Sequence, residues 1–285
     1  MVVLVTGAGG QLGQAIKHIA GEYPKVTFIF CSSSELDITD KKQCKFVFEK
    51  YQPDYCINTA AYTAVDKAES EPEKAIGINV MGVQNIAEVC QEHKTVLLHI
   101  STDFVFDGKK ETPYTETDIP NPTSIYGRTK LDGEVVVQKF CEKHFIIRTS
   151  WVYSQFGNNF MKTMLRLASE RDVISVVSDQ VGTPTNAVDL AEALLQIITV
   201  NQQLSTLNLY GIYNFSNEGQ CSWYDFAREI FKINRIAIAV NPIPTSSYPT
   251  PAKRPYFSVL DKHKIKDTFG ITIKEWEVSL EPFQS

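Results

Sequence analysis

The sequence predicts an α/β fold: a doubly wound parallel sheet with helices on both faces, followed by a smaller C-terminal lobe. Three observations lead there. Short β-branched runs alternate with longer amphipathic runs through the first half. The short runs are apolar at successive positions, as central parallel strands covered on both faces are. The first run ends in a glycine cluster that opens a helical stretch, and repeated βα units of this kind build a parallel sheet.

In chain order, strands are expected at 2–5, 26–30, 55–57, 96–100 and 145–147. Helices start near Gln11, Asp40, Glu71, Thr123 and Asn158; Asp40, Thr123 and Asn158 are N-cap types, and Pro72 suits a first helical turn. Beyond Ser154 the pattern is less regular, with a strand at 173–177, a helix at 188–198, a strand at 213–215 and a helix at 223–231. A proline-rich stretch, 242–255, follows; Ile243, Tyr248, Tyr256 and Phe257 are interleaved with it or close behind and are expected to pack, so the C-terminal lobe is built on it and it is no linker. The division is 1–153, joined by about 172–200, for the sheet unit and 154–285 mainly for the lobe, the two interleaved. No fixed-period repeat is visible.

Composition excludes several function classes. Lys+Arg 28 against Asp+Glu 33 leaves a net charge of −5, the wrong sign for a phosphate-backbone binder, so nucleic acid is no expected partner. Apolar runs fall far short of the roughly 18 residues a membrane span needs. Residues 1–7 carry no basic region and leave no room for an apolar one, so no secretory signal is expected and the cytoplasm is the expected compartment. The six cysteines contain no C-x-x-C and the histidines no H-x-x-x-H, which argues for reduced core thiols and against a metal centre.

The chemistry starts at Thr6-Gly7-Ala8-Gly9-Gly10-Gln11-Leu12-Gly13, a G-x-x-G-x-x-G spacing between strand and helix. In a Rossmann-like unit Gly7 permits the tight turn, Gly10 admits a pyrophosphate, and Gly13 lets the first helix pack on the sheet, while helix N–H groups face the anion. The alternative is a glycine-rich turn without ligand. No G-K-[ST] follows, which disfavours a P-loop. After the second strand, Ser32-Ser33-Ser34 offers neither an acid for ribose hydroxyls nor a base for a 2′-phosphate. Hydroxyls donate to a phosphate without repelling it, which favours NADP(H); Glu35 keeps NAD(H) open. Asp37 beside Ile38 suits an adenine-edge contact or a solvated loop acid.

Tyr126 and Lys130 stand four apart, one turn along a helix face, with Ser101-Thr102-Asp103 just after the fourth strand. A lysine beside the phenol, with an oxidised nicotinamide, lowers the tyrosine pKa from about 10 toward working pH. Such a tyrosine protonates a carbonyl oxygen as hydride arrives. The Thr102 or Ser101 hydroxyl completes the set around the developing alkoxide. An exposed helical pair is the alternative.

Taken with these, AAYTAVDKAE at 60–69, STDFVFDG at 101–108, YGRTK at 126–130, RTSWVY at 148–153, DQVGTPT at 179–185 and Arg254-Pro255 span nearly the whole chain. The set resembles the extended short-chain dehydrogenase/reductase superfamily and, within it, the dTDP-4-dehydrorhamnose reductase family. The resemblance implies reduction of a 4-keto-6-deoxy sugar nucleotide to the rhamnosyl nucleotide. By position it makes Tyr126 the proton donor, Lys130 its tuner and ribose anchor, and Thr102 the helper hydroxyl. It sets Gly10, Gln11 and Leu12 at the pyrophosphate, and Ala60, Ala61 and Tyr62 beside the cofactor. Thr63, Thr102, Asp103 and Trp151 fall at the sugar, with Gln180 and Arg254 toward the nucleotide. Trp151 offers an apolar wall and one N–H, or is a core aromatic; Arg254 pairs a diphosphate or is a surface cation.

There are departures. Phe104 stands where the family often has Tyr, and Ala15 stands where some members carry a glutamate that helps hold a dimerising divalent cation, so that dimer mode is not expected and a monomer or weak homodimer is. The charged run from Asp66 to Lys74 reads most simply as a solvated helical face. Two rival readings are a non-catalytic regulatory subunit of the same fold and a sibling nucleotide-sugar epimerase or dehydratase, the latter disfavoured because 102–104 supplies only one acid.

Overall fold

Five of the six main-sheet strands lie within residues 1–149, and each sends its side chains alternately into two different helical layers. The computed structural model describes residues 1–204 and 206–282; the last residues of the expected lobe, 283–285, lie outside the described residues. In chain order the strands are β1 (Val2–Thr6), β2 (Thr27–Cys31), β3 (Tyr55–Asn58), β4 (Val96–Thr102), β5 (His144–Thr149), β6 (Val152–Tyr153), β7 (Val173–Val177), β8 (Val181–Gly182), β9 (Thr185–Asn186), β10 (Gly211–Asn214), β11 (Cys221–Ser222) and β12 (Ala239–Ile243). The helices are α1 (Gln11–Ile19), α2 (Lys41–Tyr51), α3 (Val65–Ala68), α4 (Pro72–Ile76), α5 (Val83–His93), α6 (Ile125–Phe140), α7 (Phe160–Glu170), α8 (Ala187–Gln203), α9 (Trp223–Ile233), α10 (His263–Phe269) and α11 (Trp276–Ser279).

The main sheet has the order β10-β5-β4-β3-β1-β2, and all its pairings are parallel. Val3 and Val5 of β1 pack into a layer with α1, α8 and α10. Leu4, between them, packs into the opposite layer with α2, α5 and the end of α6. This two-sided burial is why the strands read as continuous apolar runs. All six cysteines are free and buried; Cys31, Cys44, Cys56, Cys90 and Cys141 fill that second layer.

From β1 the chain goes first to β2 on one side, then to β3 on the other, so the order reverses between β1 and β3. Open α/β sheets bind ligands at such a switch point, beyond the strand carboxyl ends. Gly7 sits there with φ +63°, and a Cβ on it would lie 2.6 Å from the Ala60 backbone nitrogen. Only glycine fits both the left-handed turn and the close approach.

A second, smaller core forms from Tyr153, Met161, Ile174, Phe226 and Trp276 with their neighbours. β7 pairs with β12 inside this lobe, which corrects the expectation that all of 172–200 joins the main sheet. β7 alternates exposed and buried positions, so it covers only one face, while Leu190, Leu194 and Ile198 of α8 do pack on the sheet. The proline-rich stretch begins in the last two residues of β12, Pro242 and Ile243, and then crosses back toward β4. Phe257 packs on the small cluster of Val105, Phe106, Tyr114 and Leu260. Tyr248 and Tyr256 stay exposed, contrary to the packing expected of them, because the flanking backbone and not the rings carries the contact: Tyr256 O accepts from Val181 N–H and Ser258 N–H donates to Val181 O.

Two caps lie one residue from their expected places. Ser124, not Thr123, caps α6, accepting from Gly127 N–H at 3.1 Å, and Asn159, not Asn158, caps α7. Asp40 caps α2 and Pro72 opens α4 as expected.

Candidate active site

A cleft of about 970 Å³ opens at the switch point. On its cofactor-like side lie Gly7, Gly10, Gln11, Leu12, Ser32, Asp37, Ile38, Ala60 and Ala61. No side chain caps α1, so its first-turn N–H groups are free to face an anion. A Cβ on Gly10 would meet the Gly7 carbonyl oxygen at 3.2 Å, tighter than ordinary contact.

Two residues expected here stand elsewhere. Gly13 does not line the cleft; a Cβ on it would lie 2.6 Å from Ala8 Cα, so its role is close packing of the helix on the glycine turn rather than on the sheet. Tyr62 also lies outside the lining. Its hydroxyl donates to Glu71 at 3.1 Å, and its main chain is clamped by Asn79, which accepts from its N–H at 2.9 Å and donates to its carbonyl at 3.1 Å.

Ser32 bears on cofactor choice. Both its N–H and its hydroxyl donate to a Glu35 carboxylate oxygen, at 2.8 and 2.7 Å. These bonds hold the Glu35 carboxyl below its ordinary value. The carboxylate is folded back on Ser32, and Ser32 and Ser33, not Glu35, line the cleft.

At the centre, Tyr126 from the first turn of α6, Lys130 one turn on, and Ser101, Thr102 and Asp103 from the end of β4 line the same cleft. Lys130 is buried, and its Nζ donates to the Ile100 carbonyl at 2.6 Å. Successive strand residues divide the two candidate hydroxyls. Ser101 donates to Glu134 at 2.6 Å, beneath α6, where Glu134 also forms a fully buried bidentate pair with Arg148 at 2.9 and 2.7 Å. Thr102 donates to Asp103 Oδ1 at 2.9 Å and accepts from Phe104 N–H at 3.2 Å. Phe104 meets Tyr126 edge to face, ring centroids 5.6 Å apart, so the ring that lacks the family's hydroxyl still steers the phenol.

In the protein alone, burial pushes the Tyr126 phenol up to about 12, with Thr102 opposing the rise and Asp103 adding to it. Burial also brings Lys130 down to about 8 against the pull of Glu134. Desolvation disfavours the charged form of each and outweighs their partners. Asp103, also buried, is raised to about 6 by burial, with Ser258 and Thr102 pulling it back.

On the sugar-like side, Thr63, Trp151 and Arg254 line the cleft. Arg254 is neither free nor simply a surface cation: it donates to both oxygens of Asp66, at 2.9 and 2.7 Å. Gln180 is buried away from the lining and donates to Thr245 at 3.0 Å, because β8 turns it into the proline-rich stretch. The charged run 66–74 is not a plain solvated face. Asp66 holds Arg254, Glu69 accepts from the Ile125 N–H of α6 at 2.8 Å, and Glu71 holds Tyr62.

Sequence reasoning missed Asn79, Trp223 and Phe160. Asn79 is buried in a π-helical turn at Gly77–Gly82 and also donates to Thr129 of α6 at 3.1 Å; no local spacing signals that contact. Trp223 and Phe160 open α9 and α7 and line the cleft, and their helical positions looked like ordinary core aromatics.

A parallel sheet with its glycine turn at the switch point, and a helix carrying Tyr126 and Lys130 beside the strand-four hydroxyls, defines an oxidoreductase of the extended short-chain dehydrogenase/reductase class. Residues 1–284 match the protein family described as RmlD substrate binding domain. A dTDP-4-dehydrorhamnose reductase of Aggregatibacter actinomycetemcomitans is 44% identical over 98% of this chain and 96% of its own. The crystal structure of the Clostridium acetobutylicum dTDP-4-dehydrorhamnose reductase superimposes with TM-score 0.92 at 43% identity, covering 99% of this chain and 97% of that one. That of Bacillus anthracis, solved in complex with NADP, superimposes with TM-score 0.91 at 38% identity, covering 98% and 96%. The chain belongs to the dTDP-4-dehydrorhamnose reductase family.

Proposed function

We propose that this chain reduces the 4-keto group of dTDP-4-dehydro-L-rhamnose to give dTDP-L-rhamnose, using NADPH, with NADH as the alternative donor. The observation that carries the reading is the meeting of Tyr126, Lys130 and Thr102 in one cleft with an uncapped helix N-terminus at the glycine turn. Relatives across nearly the whole chain carry that reductase name, and one was solved with NADP.

The residues present fit a dinucleotide. Gly10, Gln11 and Leu12 would hold its pyrophosphate, Asp37 and Ile38 its adenine, Ser32 its 2′-phosphate once its hydroxyl turns away from Glu35, and Ala60, Ala61 and Lys130 its nicotinamide half. When bound, it supplies hydride to the keto carbon. Tyr126 is protonated at neutral pH, since burial holds its pKa at about 12, so it enters as a proton donor and hands its proton to the carbonyl oxygen as negative charge develops there. The phenolate then left is stabilised by the Lys130 ammonium. Thr102 supports the same oxygen by turning its one hydroxyl proton to it from Asp103 Oδ1, and Thr63 and Trp151 bound the sugar. Arg254 faces the diphosphate side, and Gln180 supports the wall behind it. No metal ligand is assigned, the histidines and cysteines lacking ligand spacing.

Among the described residues no helix is long and apolar enough to cross a membrane. We place the protein in the cytoplasm as a monomer or weak homodimer acting on a nucleotide sugar, residues 154–285 forming most of the substrate-binding lobe.

The test follows NADPH and NADH absorbance with enzymatically generated substrate. Wild type oxidises the cofactor, and Tyr126→Phe loses on the order of a hundredfold or more in turnover, as expected for a lost general acid, while still binding dinucleotide. Unchanged turnover in Tyr126→Phe would remove the proton-donor assignment.

A further inference from the structure

Part of the cleft wall is aromatic, and it comes from three separate elements. Trp151, just after β5, Phe160 at the start of α7 and Trp223 at the start of α9 all line the cleft. Trp151 and Trp223 stack with ring centroids 3.5 Å apart and planes 10° from parallel. Phe160 tilts against Trp223 at 4.6 Å and stacks on Phe226 at 5.5 Å, which ties the pair to the lobe core.

Trp151 is held in place against its own backbone preference. Its φ is +47°, a left-handed conformation that a bulky residue adopts only where the surroundings impose it. Gly182 is one such surrounding: a Cβ there would lie 2.6 Å from Cε2, 2.7 Å from Cζ2 and 2.9 Å from Nε1 of Trp151. The pyrrole-nitrogen edge of Trp151 is therefore set against Gly182 and one face against Trp223. Neither indole carries a hydrogen-bond acceptor, so this wall has nothing to offer a hydroxyl proton.

We propose that Trp223 is a specificity-determining residue: stacked behind Trp151, it fixes an apolar wall that accepts the methyl carbon 6 of a 6-deoxy sugar and disfavours a hydroxymethyl at the same carbon. The proposal rests on the reductase reading of this cleft. A methyl gains from leaving water, whereas a hydroxyl pressed against this wall gives up hydrogen bonds to water and finds no acceptor on either indole. Apolar pockets reject an added hydroxyl by a limited factor, on the order of 10- to 100-fold. Gly182 acts with Trp223 as a positioning residue, because any side chain there displaces the Trp151 ring.

The test compares wild type, Trp223→Phe and Trp223→Ala. Calorimetry measures binding of dTDP-L-rhamnose and of dTDP-L-mannose, which differ only in the hydroxyl on carbon 6, with NADP present. Wild type favours the 6-deoxy sugar by roughly 10- to 100-fold. Trp223→Phe keeps most of that preference, and Trp223→Ala brings the ratio close to one with NADP affinity unchanged. Gly182→Ala, in case Trp223→Ala does not fold, produces the same loss by displacing Trp151. Wild type without the preference, or either alanine variant retaining it with NADP binding intact, overturns the proposal. The binding arm is independent of turnover, so a chain that shows the preference yet oxidises no NADPH would sink the reductase reading and leave the wall standing.

Discussion

Tyr126 and Asp103 show how one environment serves two purposes. Both are desolvated at the end of β4 and the start of α6, and both are driven toward their neutral forms, Tyr126 to about 12 and Asp103 to about 6. For a reductase this keeps the phenol proton in place until the carbonyl oxygen needs it. For Asp103 it has a stability consequence. Its folded pKa lies above the ordinary 3.8, so folding favours the protonated carboxyl. That contribution is complete below about pH 4 and is lost as pH rises through about 6. Asp103→Asn removes the titration while keeping an acceptor for Thr102. In urea unfolding, its stability relative to wild type should climb between pH 4 and 7, by on the order of 2–3 kcal/mol. A difference that is flat across that range would show Asp103 to be ordinary.

Helix α6 is the element on which the chemistry is mounted, and its start is fastened from two sides. Ser124 accepts from Gly127 N–H, and Glu69 accepts from Ile125 N–H. One turn further, Asn79 reaches it at Thr129, and Glu134 anchors its middle to Arg148. Fixing the first turn fixes Tyr126, which lies within it. Ser124→Ala should therefore cost about 0.5–2 kcal/mol, the usual loss for an N-cap, and turnover should fall more than dinucleotide affinity. Denaturant titration alongside steady-state kinetics checks both; a stability loss with unchanged kcat would show that Glu69 alone holds the turn.

At the scale of the whole molecule, two long-range contacts bring the lobe onto the sheet. Gln11, at the start of α1, accepts from Ser154 at 3.1 Å and from Asn159 at 2.9 Å, which joins the glycine turn to the loop before α7. The strap around Arg254 is pinned to α3 by Asp66, which also accepts from Ala252 N–H at 3.2 Å. The Arg254 guanidinium holds the Asp66 carboxyl below its ordinary value. The pair is part-exposed, with side-chain accessibilities of 39% for Asp66 and 25% for Arg254, so its worth to global stability is small, about 1 kcal/mol or less. Its effect is local. Asp66→Asn should leave the unfolding midpoint nearly unchanged while amide exchange across 250–258 quickens; exchange as slow as wild type would mean the strap is held by its backbone bonds to Val181 and Tyr114 alone.

Much of this was legible in the sequence, because its causes are local. Strands covered on both sides must be apolar at every position, a glycine turn between strand and helix announces its own geometry, and Tyr126 and Lys130 share a face because a helix repeats every 3.6 residues. Tertiary structure decided the rest. Which of Ser101 and Thr102 faces the chemistry depends on Glu134 lying beneath one of them. The charge of Asp66 finds Arg254 far along the chain, and Trp223 reaches the cleft only because α9 packs beside Trp151. The pKa of Tyr126 in the protein alone follows desolvation, a property of everything packed around a group and not of its neighbour one turn away.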